Sequence, residues 1–342
     1  MSDTRISVII PVLNGAAFLE EALASLEQQT LRDFDVLVWD NGSTDDTLEI
    51  LDRWLPTRLS GRVFRGVPLS LGLSLRRLVE EAPTELCARM DVDDICHPER
   101  FQRQFDFLRQ NPGLALVGTD RDCMDMAGNP VAGASKLPFA PTDVLHATLV
   151  GPRIWHPTVL FKRSAILEAG NYQDHSTPDE PYWSEDYDMW MRLQSRYLAA
   201  TMPERLLRYR INPEGVTQKA MREKRAALAR RRVWERHAAA FTGLDSKTAL
   251  RLHDRSSSFA LPALWRIARH FQMLDGQTPF SRLRHQSFLV AMEKMINRKD
   301  LAARFWLKAC RALPLIPANG LPTPRQGPPG CVPAPIGGQQ RP

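Results

Sequence analysis

The densest chemistry in the sequence is Asp91-Val92-Asp93-Asp94, three carboxylates within four residues directly behind the apolar run Leu86 to Met90. Charges this close repel one another and cost stability unless a cation or a donor-rich ligand compensates them. A hard divalent cation, Mn2+ or Mg2+, suits carboxylate and phosphate oxygens, and it needs only one or two protein carboxylates when a diphosphate supplies the rest. On extended backbone Asp91 and Asp93 point the same way, so both can serve one ligand. A cation held there would neutralise the charge building on a departing nucleoside diphosphate. A second acidic run, Trp183-Ser184-Glu185-Asp186-Tyr187-Asp188, precedes a helical pattern at Met189, Trp190 and Leu193. Transfer of a group to a hydroxyl requires a base, and Asp186 or Glu185 has the chemistry for it. Acidic residues in a first helical turn also complement the helix dipole, so both readings stand.

Smaller polar sets accompany these. Asn14 follows the first apolar run, and Asp40-Asn41-Gly42-Ser43-Thr44 follows the second. Side chains of this kind suit a tight turn and a helix N-cap as well as a ligand. His156, ahead of Pro157-Thr158, reads as a ligand, an acceptor contact or a structural residue. Arg192 and Arg205 read as solvated, while Arg208 and Arg210 are open to diphosphate pairing or to the surface.

These groups can meet only if the chain brings the ends of several strands together. The first 120 residues alternate strand-like and helix-like periods, the pattern of βαβ units in a parallel sheet. Ile6 to Val12 reads as a first strand, followed by a helix face at Phe18, Leu19, Ala22, Leu23 and Leu26. Phe34 to Trp39 is a second strand, leading to a helix with Leu48 and Leu51, and Arg62 to Phe64 a weaker third. A helix around Leu75 to Glu81 precedes the strand Leu86 to Met90, and Pro98 opens a helix burying Phe101, Phe105 and Leu108. Parallel α/β sheets bind ligands at the carboxyl ends of their strands, which is where Asn14, Asp40-Asn41 and Asp91 to Asp94 fall. Further on, Ala127-Gly128-Asn129-Pro130 reads as a turn between short strands and Pro141 to Val150 as a helix.

Composition bounds the rest. With 342 residues, 25% charged and 43% hydrophobic, the chain is globular, which sets aside wholesale disorder and fibrous repeats. Forty-five Lys and Arg against 39 Asp and Glu give +6. Gln218 to His237 holds eight Lys or Arg against Glu223 and Glu235, so this segment alone accounts for the excess. A nucleic-acid protein spreads its basic residues over a whole face, so no nucleic-acid partner is expected. The segment reads as a solvated helix face or as a contact with an anionic membrane or a phosphate-bearing lipid-linked acceptor. Five scattered cysteines without a CxxC pair argue for a reducing compartment and against a zinc ribbon. The N-terminus has no signal-peptide core and no stretch is apolar for long enough to span a bilayer, so a cytoplasmic location is expected, at most peripheral at the inner face of the membrane. Residues 219–311 read as a helical accessory region, and the Pro- and Gly-rich stretch 312–342 as a disordered tail.

Taken in order, SVIIPVLNGAAFLEEALASLEQQT, FDVLVWDNGSTDDTLEIL, LCARMDVDDICHPERFQRQ, WHPTVLFKRSAIL, SEDYDMWMRL and LLRYRINPEGVT resemble the inverting glycosyltransferases of family 2. The resemblance implies a Rossmann-like α/β domain of the GT-A type over residues 1–218. It implies a nucleotide-sugar donor, UDP- or dTDP-linked by preference, with Pro11, Val12, Asn14, Asp40, Asn41, Asp91, Asp93 and Asp94 around it. It further implies a divalent cation on Asp93 and Asp91, and Asp186 as the base. Glu185 and His156 read either as acceptor contacts or as residues supporting the site from behind. The implied reaction is a single in-line displacement that moves a sugar to a hydroxyl of a glycan or lipid-linked acceptor, as in surface polysaccharide or glycoconjugate synthesis. Leu13 stands where the family often has Tyr, Asn41 where it often has a second Asp, and Asn212 where it often has His. Two rival readings are a nucleotidyltransferase and a sugar-nucleotide-binding module without turnover. The first is disfavoured because Pro11-Val12-Leu13-Asn14-Gly15 lacks the basic residue a triphosphate loop needs, the second because both acidic motifs are intact.

Overall fold

The structure, a computed structural model, describes residues 6–132, 144, 148, 151–176, 184–222 and 225–242. Most of the helix expected over Pro141 to Val150, the region beyond 242 and the tail from 312 lie outside these residues, as does Trp183.

The elements run β1 (Ile6–Val12), α1 (Ala16–Glu27), β2 (Phe34–Asp40), α2 (Thr47–Trp54), β3 (Gly61–Arg65), α3 (Leu71–Glu81), β4 (Leu86–Arg89), β5 (Ile95–Cys96), α4 (Arg100–Gln110), β6 (Leu114–Met124) and β7 (Pro130–Val131). A 3-10 turn (His156–Thr158), β8 (Leu160–Lys162), α5 (Arg163–Glu168), α6 (Glu185–Leu193), β9 (Leu198–Arg210), α7 (Val216–Arg222) and α8 (Arg225–Thr242) follow. Among the described residues one mixed sheet has the order β3-β2-β1-β4-β8-β6-β9-β5, with β7 paired to β6. Its β3-β2-β1-β4 half is parallel, as the alternating periods require. The α/β class expected from the sequence is the observed one.

Every residue of β1 is buried, because the strand is central and covered on both faces. Alternation sorts its side chains: Ile6, Val8, Ile10 and Val12 join Leu19 and Leu23 of α1, Leu51 of α2 and Phe101 of α4. Ile9 turns the other way, to Leu75 and Leu78 of α3, Ile166 of α5 and Trp190 of α6. Each such buried aliphatic side chain contributes about 1.5–3 kcal/mol relative to exposure. The two layers thus fix the strand ends and, independently, the first turn of α6.

Candidate functional site

The loops after β1 and β2 begin side by side, since Val12 and Asp40 are paired in the ladder. They are then sewn together. The Asn41 amide donates to the Val12 carbonyl (2.8 Å), the Asn14 amide to Ser43 Oγ (2.9 Å) and the Gly15 amide to Thr47 Oγ1 (2.8 Å). Asn14 adopts a left-handed conformation (φ 52°), which Asn tolerates, and its Oδ1 accepts from the Thr44 amide (2.8 Å). The Asp40 carboxylate accepts from the amides of Gly42 (3.1 Å) and Ser43 (3.2 Å). Asn41 Oδ1 accepts from the Leu69 amide and Ser74 Oγ, each at 3.0 Å. The side-chain oxygens of Asn14, Asp40 and Asn41 are therefore engaged in shaping this edge, and Pro11 and Val12 are buried in β1. A Cβ on Gly15 would lie 2.8 Å from Val92, so glycine is what lets the first loop close against the acidic one.

The acidic loop departs from the extended form expected. Strand β4 stops at Arg89, and the Asp94 amide turns back toward the Asp91 carbonyl (3.4 Å). The turn still gathers the three carboxylates, with one ligand atom from each of Asp91, Asp93 and Asp94 within 4.8 Å of the others. Asp91 is gripped by both terminal nitrogens of Arg89, at 2.5 and 2.6 Å. Asp94 is fully buried, with Oδ1 accepting from the Arg210 amide (3.0 Å) and Oδ2 lacking any partner. Burial, reinforced by the Asp91 charge, pushes Asp93 up to about 6 and Asp94 well above the usual carboxylate range. Hard oxygen donors, crowded and partly unsatisfied, fit a divalent cation such as Mn2+ or Mg2+.

Arg210, open in the sequence reading, is a support. Its guanidinium is 2% exposed, donates to the carbonyls of Asp93 (2.9 Å) and Met126 (3.0 Å), pairs with Glu21 (2.5 Å) and lies over the Phe18 ring. It braces the acidic loop from behind.

The second acidic motif opens α6. Ser184 ahead of it has φ 113°, a strained conformation for a residue with a Cβ, and such strain concentrates at working sites. Burial, then the neighbouring Glu185 charge, raises Asp186 to about 6. Burial also raises Glu185, whose Oε1 lies 3.7 Å from His156 Nδ1. His156 is buried against Tyr172, with Nε2 2.9 Å from the phenol oxygen, and against the Trp190 edge. Burial and the charge of Arg89 lower it to about 3, so it is neutral near pH 7.

That leaves Arg89, which the sequence reading did not single out. Only 4% exposed, it pairs with Asp91 while its charge also favours the ionised forms of Asp93, Asp94, Glu185 and Asp186. One buried cation thus links the two acidic motifs. The signal was an arginine closing an otherwise apolar, centrally placed strand, where an unpaired charge would be costly.

Asp188, two residues past Asp186, goes the opposite way. It is fully buried, and although burial opposes ionisation, His237 (2.8 Å) and Arg192 (2.8 Å) hold it well below the usual carboxylate range. Arg236 adds a third contact at 3.2 Å. Arg192, read as solvated, is therefore a buried partner, 12% exposed, whereas Arg205 sits at the surface against Asp122. The basic segment is not uniformly solvated either: Val233 and Trp234 of α8 are buried, and its end clasps α6.

Joined loops at the carboxyl edge of a parallel sheet, beside crowded hard oxygen donors, are where an open α/β protein binds its ligand. The sequence matches the model of glycosyl transferase family 2 over residues 7–167. It is 30% identical over 203 residues to the amylovoran biosynthesis glycosyltransferase AmsE of Erwinia amylovora, covering 59% of this chain and 73% of that one. Identity to the O-antigen biosynthesis glycosyltransferase WbnJ of Escherichia coli is 28% over 224 residues, 63% and 83% of the two chains. The fold matches residues 1–349 of S. aureus TarS in complex with UDP-GlcNAc (TM-score 0.57, 16% identity, 90% and 87% of the chains). It also matches the mannosyltransferase PcManGT of Pyrobaculum calidifontis in complex with GDP-Man and Mn2+ (TM-score 0.52, 20% identity, 87% of each chain). The chain belongs to glycosyl transferase family 2 and is a glycosyltransferase.

Proposed function

We propose that this glycosyltransferase has the GT-A fold and moves a sugar from a nucleoside diphosphate to a hydroxyl acceptor with inversion, in the synthesis of a surface polysaccharide or glycoconjugate. The observation that carries this reading is the pair of acidic motifs joined across Arg89, one suited to a cation and diphosphate and the other holding a carboxyl raised to about 6. Asp93, with Asp91, would hold Mn2+ or Mg2+, which when bound offsets negative charge on the diphosphate. The β1 and β2 loop edge, from Pro11 to Asn14 and at Asp40-Asn41, would receive the nucleoside. Asp186 takes the acceptor hydroxyl proton as the oxygen attacks the anomeric carbon. The bond to the diphosphate oxygen breaks on the opposite face, its electron pair leaving with the nucleoside diphosphate, and the anomeric configuration inverts. His156, neutral and hydrogen-bonded to Tyr172, holds the Glu185 side of this site without competing for the proton.

A thermal-shift panel of UDP, dTDP and GDP, each with and without Mn2+, tests the reading. A ligand at about 100 times its Kd stabilises the native state by about 2.7 kcal/mol, which corresponds to a midpoint rise of about 5–10 °C for a domain of this size. UDP or dTDP with Mn2+ is expected to give the largest rise; no rise with any of the three would overturn the assignment. A nucleotidyltransferase is disfavoured because the β1 loop carries no basic residue.

The cytoplasmic location at the inner membrane face belongs to the same proposal. No helix among the described residues is long and apolar enough to cross a membrane. Lys219, Arg222, Arg225, Arg231 and Arg232 are exposed on α7 and α8, beside exposed Met221 and Leu228. Each basic residue near an anionic surface contributes about 1 kcal/mol. The protein is therefore expected to pellet with vesicles containing anionic lipid and not with neutral ones; equal pelleting would remove the contact.

A further inference from the structure

Arg121 of β6 has its guanidinium carbon 3.7 Å from the ring centre of Trp155 and 3.8 Å from that of Tyr209. Aromatic faces attract a cation but leave its in-plane N–H donors unused. Arg121 Nε is buried without an acceptor, and so is the indole Nε1 of Trp155. The neighbouring carboxylates do not compensate it: Asp122 pairs with Arg205 at 2.9 Å, and Asp120 lies 3.9 Å from the same side chain. Among the described residues no carboxylate forms an ion pair with Arg121. A buried donor without a partner costs about 1–3 kcal/mol, so two in one stacked cluster, one of them on a cation, suit an anionic group.

The position says which anion. Tyr209 adjoins Arg210, the brace of the acidic loop, and burial and the Asp91 charge push its phenol up. Trp155 adjoins His156, which lies against Glu185. The stacked cluster therefore runs from the neighbour of Arg210, beside the acidic turn, to the neighbour of His156, beside Glu185. In the reaction proposed above, on which this inference rests, the diphosphate has its counterion at Asp91 and Asp93, whereas the acceptor must lie against Asp186. We propose that Arg121, with the Trp155 indole N–H, binds an oxyanion carried by the acceptor, either the carboxylate of an acidic sugar or a sugar phosphate.

The test is calorimetric titration of glucuronate, glucose 6-phosphate and glucose into the full chain, loaded with Mn2+ and the nucleoside diphosphate that gives the largest shift in the panel above. At least one of the two anions is expected to bind about tenfold or more tightly than glucose; glucuronate alone assigns a carboxylate, glucose 6-phosphate alone a phosphate. Arg121→Gln is expected to bring that anion to the level of glucose while nucleoside diphosphate affinity stays within about twofold. Trp155→Phe, which keeps a ring and removes the N–H, is expected to lose part of the preference. Glucose binding as tightly as both anions overturns the subsite and leaves the glycosyltransferase reading intact. Equal loss of nucleoside diphosphate and anion in Arg121→Gln also overturns it and assigns Arg121 to the donor. Wild-type protein that binds no nucleoside diphosphate overturns both readings.

Discussion

Asp186→Asn is expected to lower turnover by about a hundred- to ten-thousandfold, the range a positioned general base contributes. Nucleoside diphosphate binding with Mn2+ should persist, because Asp186 sits on α6 and the proposed cation ligands sit in the turn behind β4. The pH dependence has a definite sign. Burial and Glu185 raise the Asp186 carboxyl to about 6, so below that pH it is protonated and cannot accept a proton. Turnover in the wild type should rise through about pH 6 and level off above it. The same shift acts on stability. A carboxyl with a raised folded-state pKa favours the native state at low pH and loses that advantage as pH climbs from the unfolded value, about 3.9, through about 6. The amide carries no such penalty, so Asp186→Asn should melt no lower than wild type at pH 7. A kinetic assay of nucleoside diphosphate release and a melting curve check both halves; unchanged turnover, or turnover lost together with nucleotide binding, would sink the assignment.

Arg89→Met should be the most damaging single change to the fold around the site. Removing one member of a fully buried ion pair costs about 3–5 kcal/mol, and less here, because Asp91 keeps 28% of its side chain exposed. The loss extends beyond Asp91, since the Arg89 charge also favours the ionised forms of Asp94, Glu185 and Asp186, though less than burial opposes them. Urea unfolding should report the destabilisation. Without Arg89 the pKa of Asp186 climbs further, so the acid limb of the rate profile should move to higher pH. Stability within about 1 kcal/mol of wild type and an unmoved acid limb would show Arg89 to be a bystander.

Much of this was legible because hydrophobic period reports burial directly. Ile6 to Val12 alternates between two covered faces, and the strand found is the strand expected. The Asp91-Asp93-Asp94 gathering followed from charge density, although the backbone there turns instead of extending. What escaped was pairing across distance. Arg210 reaches Asp93 over 117 residues, and the two approach only because β9 runs beside β5. Asp40 and Asn41 had the right composition for a ligand edge, yet composition does not reveal that their oxygens are already committed to Gly42, Ser43, Leu69 and Ser74. The burial of Arg192 is of the same kind, since its partner Asp188 is hidden only once α8 packs down.

The clasp between α8 and α6 bears on how such enzymes can change substrate by exchanging parts. Asp188 and Asp186 ride on one rigid helix, and two of the donors that neutralise Asp188, Arg236 and His237, come from a helix some fifty residues downstream. A chimera spliced at residue 218 would carry the base on its own helix but bring a foreign α8 without those donors. Its buried aspartate would then be poorly compensated two residues from the reacting group. An exchange of C-terminal parts must therefore carry α6 and α8 over together, with β9 and its Arg210 between them.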